Sequence, residues 1–269
     1  MITSDCHMHT TFSTDGISDM ESMILSAVKK GLKIICFTEH NDHGAGFEGP
    51  GNYVVGTEKY HKSCIELSEK YSDKIKVLFG VEIGLMEKEK EYFDEYVNSY
   101  PFDFVIGSSH TAGLLDPYYP EYYTHFSTTE EAYRYYFESE LIRAGEFTCY
   151  DSYGHLDYAL RYGPGGNSGF TYEKYADLLD PLLKEIISHG KVIEVNSSGI
   201  RKGMNGPNPA ASIIKRYKEL GGLPLTVGSD AHEIKDVAAD FNTVRDILID
   251  AGYTSYSVFE KRVRREISL

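Results

Sequence analysis

Cysteine is scarce in this chain, and its four copies are scattered. Cys6, Cys36, Cys64 and Cys149 form no Cys-x-x-Cys pair, which argues against a disulfide framework and fits a reducing compartment. Cys6 and Cys36 sit in apolar runs and read as small buried hydrophobes. Positive charge is also short: 27 Lys and Arg stand against 41 Asp and Glu, a net charge of -14. That balance argues against a general nucleic-acid surface, which needs a basic stripe. The one basic cluster, KRVRR at 261–265, reads as a solvated tail or strand face. No apolar stretch approaches the roughly 20 residues of a membrane span. The opening MITSDCHMH has no basic segment leading into an apolar one. The expectation is a cytoplasmic chain with no nucleic-acid, membrane or obligate protein partner. A chain this negative must concentrate positive charge locally, on a metal or on placed arginines, if its substrate is an anion.

A Gly-rich GxGxxG turn is missing after the first apolar run, which weakens a dinucleotide fold. There is no internal repeat and no linker; YGPGGNSG at 162–169 reads as an excursion within one loop. What is present is alternation. Strands are expected at Ile2–Met8, Lys33–Thr38, Lys76–Ile83, Phe102–Ser108, Thr148–Tyr153 (the poorest), Lys191–Val195 and Leu225–Val227. Helical patterns fill the gaps. One opens with a capping box, Ser18…Glu21, and closes at Gly31; another runs from Thr128…Glu131 to Gly145. Others cover Thr57–Tyr71, Glu89–Val97, Tyr172–Ser188, Pro209–Leu220 and Asn242–Ala251. Strand alternating with helix means βα units and a parallel sheet, either doubly wound or closed as a barrel. At 269 residues, 41% hydrophobic and 25% charged, one domain over 1–269 is expected. After Ala251, YTSYSVFEKRV alternates enough for an edge strand that closes one side of a pocket or caps the barrel.

Each expected strand ends in residues that bind metals. HMHTTFSTDG opens with His7 and His9 and carries Asp15; two His at i and i+2 on a strand share one face. FTEHNDH brings Glu39, His40, Asp42 and His43; LFGVEIG brings Glu82; VIGSSH brings His110; GHLD brings His155 and Asp157. VIEVNSSGIRKG adds Glu194, Asn196 and Arg201, and TVGSDAH adds Asp230 and His232. In a closed βα-barrel these ends converge on one face, where such enzymes place their active sites. Imidazoles mixed with carboxylates suit zinc, manganese or iron, and the count exceeds what one ion uses, so two or three ions are implied.

HMHTTFSTDG, FTEHND, GVEIGL, GSSH, GHLD and GSDAH, in this order, resemble the motifs of the polymerase and histidinol phosphatase (PHP) family, over residues 2 to about 240. The resemblance implies a distorted seven-stranded (β/α)7 barrel, with the barrel over 1–251 and an extension over 252–269. It also implies a centre of three divalent transition-metal ions. On that basis His7, His9 and Asp230 hold one ion, and Glu82 bridges it to a second held by His110 and His155. Asp15, His40 and His232 hold the third, with a carboxylate at 15 where many family members carry His. VNSSGIRKG and the preceding GHLDYALRYG most resemble stand-alone histidinol-phosphate phosphatases. The activity so implied is hydrolysis of L-histidinol phosphate in histidine biosynthesis.

The expected mechanism is in-line attack on phosphorus by a hydroxide shared between two ions. Arg161 and Arg201, in loops after the fifth and sixth strands, are expected to clamp the phosphate or line its entrance. Asp42 and His43 are candidates to protonate the leaving alkoxide, or for Asp42 to bind a substrate ammonium. Glu39 and Asp157 are read as partners orienting imidazoles, and Glu194 and Asn196 as facing the barrel interior. His61, His125 and His189 read as ordinary helix or loop residues, and the 22 tyrosines as core edges and surface packing. The alternatives are another PHP-type phosphoesterase (a nucleotide phosphatase or exonuclease, or a tyrosine phosphatase), a non-catalytic metal-stabilised regulatory domain, and an amidohydrolase-type barrel.

Overall fold

The computed structural model describes residues 1–46 and 53–269. Seven parallel strands pair in sequence order: β1 (Ser4–Asp5), β2 (Ile34–Asn41), β3 (Lys76–Gly84), β4 (Phe104–Ser108), β5 (Ser152–Tyr153), β6 (Val192–Asn196) and β7 (Thr226–Gly228). Strands β2 and β3 are buried along nearly their whole length, as parallel strands are when helices cover one face and a packed interior the other. The ring closes from β7 to β1. Cys6 N donates to Val227 O at 3.0 Å, Asp230 N to His7 O at 2.8 Å, and His9 N to Ala231 O at 2.9 Å. This is the (β/α)7 barrel expected from the sequence.

Helices fill the crossovers: α1 (Met20–Lys29), α2 (Thr57–Lys70), α3 (Lys90–Ser99), α4 (Glu121–Thr124), α5 (Thr129–Glu146), α6 (Ala159–Tyr162), α7 (Ala176–Ser188), α8 (Ser198–Arg201), α9 (Ala211–Glu219) and α10 (Phe241–Asp250). Several ends differ from expectation for local reasons. Asp19, not Ser18, caps α1, accepting from Ser22 N at 2.9 Å. Ser18 is otherwise engaged, its carbonyl accepting from Thr11 N and its Oγ from Ile234 N. Helix α5 has its expected cap at Thr128 but runs through Gly145 to Glu146. The stretch expected as one helix from Tyr172 starts as a 3-10 turn, Tyr172–Tyr175, before α7. Tyrosines also go deeper than core edges. Tyr60 and Tyr122 are fully buried, and their hydroxyls donate to Phe37 O and Ala132 O at 2.8 and 2.7 Å.

The C-terminal segment caps the barrel at the end opposite the ligand-bearing loops. Strands β8 (Ser255–Glu260) and β9 (Val263–Ser268) form an antiparallel hairpin. Ser257 N donates to Leu225 O at 2.7 Å, and the buried Tyr256 hydroxyl accepts from Thr3 N at 3.0 Å. Lys261 N donates to Asp103, which also accepts from Phe79 N ahead of β4. Arg262 pairs with Asp151, which accepts from Val105 N. The basic cluster is thus half strand and half seal, not a solvated tail. Among the described residues no helix is long and apolar enough to cross a membrane.

Candidate metal centre

The strand register decides what meets at the open end. His40 on β2 stands opposite Glu82 on β3. Glu82, completely buried, becomes the hub. Its Oε2 lies 3.1 Å from His7 Nε2, 3.3 Å from His9 Nε2 and 3.1 Å from His40 Nδ1. Its Oε1 lies 3.0 Å from His155 Nε2 and 3.3 Å from His110 Nε2, and accepts from Ser108 Oγ at 2.6 Å. Asp230 Oδ1 stands 3.7 and 3.6 Å from the Nε2 atoms of His7 and His9.

Two of the three expected ligand trios therefore come together as compact donor groups: His7, His9 and Asp230, and Glu82, His110 and His155. The third differs. His40 and His232 group with His9, while Asp15 approaches from the solvent side, 3.1 Å from His232 Nε2 and 3.6 Å from His40 Nε2. A fourth group joins His40, His110 and Asp42.

His7, His9, His110 and His232 are each aimed by a contact on the far ring nitrogen, as ligating histidines usually are. His7 Nδ1 lies 2.6 Å from Glu194 Oε1, and Glu194 Oε2 also accepts from His155 N. Such an approach needs a glycine at 228, since a Cβ there would stand 2.3 Å from His7 Cβ and 2.5 Å from Glu194 Oε1. His9 Nδ1 lies 3.3 Å from Ser13 Oγ, which donates to Glu39. Glu39 thus acts through a hydroxyl rather than on an imidazole directly. Asp157 does not orient an imidazole either: it accepts from Asn208 Nδ2 and Ala210 N. Asp5 fixes the turn that carries Asp230, whose φ of 53° is left-handed; Asp5 accepts from Ser229 N, Ser229 Oγ and Ala238 N. We expect Glu194→Gln to weaken metal binding about 10- to 100-fold, the usual range for such partners. Chelator competition reads this, and parent-like affinity would remove Glu194 from that role.

Asp42 and His43 part company. Asp42 is buried, with Oδ1 2.6 Å from His110 Nδ1, and Gly84 leaves it the room, since a Cβ there would sit 1.9 Å from that oxygen. It is placed to orient His110, and it also lines the cavity beside it. His43 turns away, with Nδ1 2.9 Å from Glu89 Oε2 and its ring stacked on Tyr92 at 3.8 Å. It does not line the cavity, and proton donation by His43 is corrected on that ground.

Electrostatics fit the donor set to cations. Burial pushes Glu82 up, but His7, His40 and His110 overturn that and hold it well below the usual carboxylate range. Burial likewise presses His40 down, yet Asp15 and Glu82 bring it up to about 9. His9, desolvated and beside His40 and His232, falls to about 3 and stays neutral, the form that ligates metals. His155 Nδ1 is buried without a hydrogen-bond partner among the described residues. Protons on His7, His40 and His110 balance the buried carboxylates when no ion is bound, and divalent ions would take the place of those protons.

The cluster floors a cavity of about 710 Å³. Arg161 lines it, buried, with Nε donating to Asn208 Oδ1 at 3.0 Å and Nη1 to Asp230 Oδ2 at 3.4 Å. Its Nη2 is buried with no hydrogen-bond partner among the described residues. Arg201 also lines the cavity, but its Nη2 donates to Ser229 O at 2.6 Å and its Nε faces Asp236 at 3.4 Å. Sequence reasoning missed Asp116, Tyr118, Tyr158 and Lys202 in the wall. The tyrosine-rich loop DPYYPEYY was the available signal, and it divides: Tyr118 and Tyr119 line the cavity while Tyr122 and Tyr123 are buried. Burial pushes Asp116 up to about 6.

Comparison with known proteins follows the same lines. The PHP domain matches residues 5–198. A histidinol-phosphatase of Lactococcus lactis is 30% identical over 95% of this chain and 93% of its own length. A probable histidinol-phosphatase of Clostridium acetobutylicum is 35% identical over 97% and 98%. The crystal structure of the histidinol phosphate phosphatase from L. lactis, complexed with zinc, L-histidinol and phosphate, superposes with a TM-score of 0.87 at 29% identity, covering 98% of each chain.

Proposed function

The chain belongs to the PHP domain family, and from that premise we propose that it is a metal-dependent phosphomonoesterase releasing phosphate from L-histidinol phosphate. The observation that carries the reading is the imidazole–carboxylate cluster that floors a cavity with Arg161 in its wall. A guanidinium in that wall suits phosphate oxygens, because its planar fork offers several donors besides the one given to Asp230.

In this reading three divalent ions, zinc, manganese or iron, are held by His7, His9 and Asp230; by Glu82, His110 and His155; and by His40 and His232 with Asp15. When bound, they supply Lewis-acid charge and an acidified water for attack on phosphorus. Arg161 binds the phosphate oxygens, kept in place by Asn208 and Asp230. Arg201 adds positive potential at the entrance and pins the Ser229 backbone ahead of Asp230. Asp42 keeps His110 oriented. Asp116, as a carboxylate, faces the substrate amine, beside the rings of Tyr118 and Tyr158.

Phosphate release from L-histidinol phosphate, AMP, phosphotyrosine and p-nitrophenyl phosphate tests the reading. The expected kcat/KM for the first exceeds the others at least about 100-fold, roughly 2.7 kcal/mol of selectivity. Asp116→Asn should erode that preference and leave p-nitrophenyl phosphate turnover unchanged. Equal slow rates on all four would discard the substrate, and no release from any would discard the phosphatase.

A further inference from the structure

Helix α5 buries two charges where apolar side chains would serve for packing. Glu140 and Arg143 are both completely buried, and neither lines the cavity. They face the segment that follows β4. Arg143 Nη1 donates to Thr111 O, and Nη2 to Thr111 Oγ1 at 3.5 Å. Four residues before Glu140 on the same helix, Tyr136 donates its hydroxyl to Ser109 O at 2.9 Å. The Tyr153 hydroxyl lies 3.2 Å from Ser109 Oγ. The Glu140 carboxyl lies near the hydroxyls of Tyr136, Tyr153 and Ser109 and near Arg143, but neither of its oxygens has a hydrogen-bond partner among the described residues, and Arg143 Nε faces Glu87 Oε1 at 3.5 Å.

This network grips Ser109 and Thr111, the two neighbours of His110, and leaves the His110 ring to Asp42 and Glu82. Its composition is poorly explained by stability. Desolvating a carboxylate and a guanidinium is costly, and replacing such a pair by apolar residues of similar volume often leaves a protein as stable or more so. Fixed geometry is what the network adds: Tyr136, with Glu140 one turn on, holds Ser109 O, and Arg143 holds Thr111 O, on either side of one imidazole.

We propose that Glu140 and Arg143 are a positioning pair, setting residues 109–111 so that His110 presents Nε2 beside Glu82 Oε1 to a shared metal ion. The proposal rests on the reading of His110 as a metal ligand.

The test uses the full chain carrying Glu140→Leu with Arg143→Met, beside Arg143→Lys and His110→Ala. Measured are thermal unfolding and amide hydrogen exchange of the metal-free proteins, zinc affinity by chelator competition, and kcat and KM. The double variant should unfold within a few degrees of the parent. Its amides at 109–111 should exchange at least about tenfold faster, and the affinity for one zinc should fall about 10- to 100-fold. A lower kcat with unchanged KM is expected alongside. Arg143→Lys should fall between it and the parent. Parent-like exchange and zinc affinity would overturn the proposal, whatever happens to the melting temperature. Should the double variant fail to fold, Arg143→Lys decides: faster exchange with weaker zinc binding supports the pair, and parent-like values refute it. His110→Ala separates the two claims. If it loses a zinc while the double variant keeps full affinity, the pair falls and the ligand stands. If it loses none, the ligand reading falls and the proposal with it.

Discussion

Glu82→Ala reduces phosphomonoester turnover by at least about 10³-fold, the upper end of what removing one preorganised electrostatic group costs. The upper end applies because this carboxylate stands against the imidazoles of His7, His9, His40, His110 and His155 together. Without it they face one another with less compensating charge, and two donor groups lose the anion between them. Glu82→Gln keeps the side-chain volume and Ser108 as a neighbour, so it isolates the charge; its loss should be nearly as large. Metal content per chain, measured by elemental analysis beside kcat/KM, should fall in both variants. A rate within tenfold of the parent would remove Glu82 from the centre.

Arg161→Met should lower kcat/KM by about 10²- to 10³-fold, as expected when a donor aimed at developing charge is removed. The binding of inorganic phosphate should weaken with it. Arg161→Lys is not expected to recover the loss. A single ammonium cannot reproduce the planar fork that reaches Asn208 and Asp230 from two different nitrogens. Unchanged phosphate affinity in the Met variant would sink the assignment. The contrast with Arg201 follows from its contacts: its guanidinium is already spent on Ser229 and Asp236.

The centre was legible because a parallel barrel delivers every strand end to one face. Short strands sufficed for that. β5 forms only a two-residue ladder, yet His155 two residues on still reaches Glu82. What escaped the sequence were choices between adjacent residues and meetings between distant ones. Ser18 and Asp19 are both good caps, and the bond from Ile234 N to Ser18 decides between them. Asp42 and His43 are neighbours, but the turn after β2 sends one to His110 and the other to Tyr92. Asp157 looked like an imidazole partner because GHLD places it two residues after His155. Its real correspondents are Asn208 and Ala210, more than 50 residues on, which no spacing announces.

The hairpin that seals the base joins residues far apart in the chain: Tyr256 and Thr3 are 253 positions apart. Closing so long a loop costs roughly 5 kcal/mol of chain entropy, since the penalty grows only with the logarithm of length. The stitch is therefore affordable at equilibrium but late in time, as distant contacts are. The same holds one layer up, where His7 and His9 follow the first strand and Asp230 and His232 the seventh. On a ribosome the first two imidazoles emerge more than 200 residues ahead of the carboxylate they need. The full set of donors therefore exists only once the chain has been made through His232.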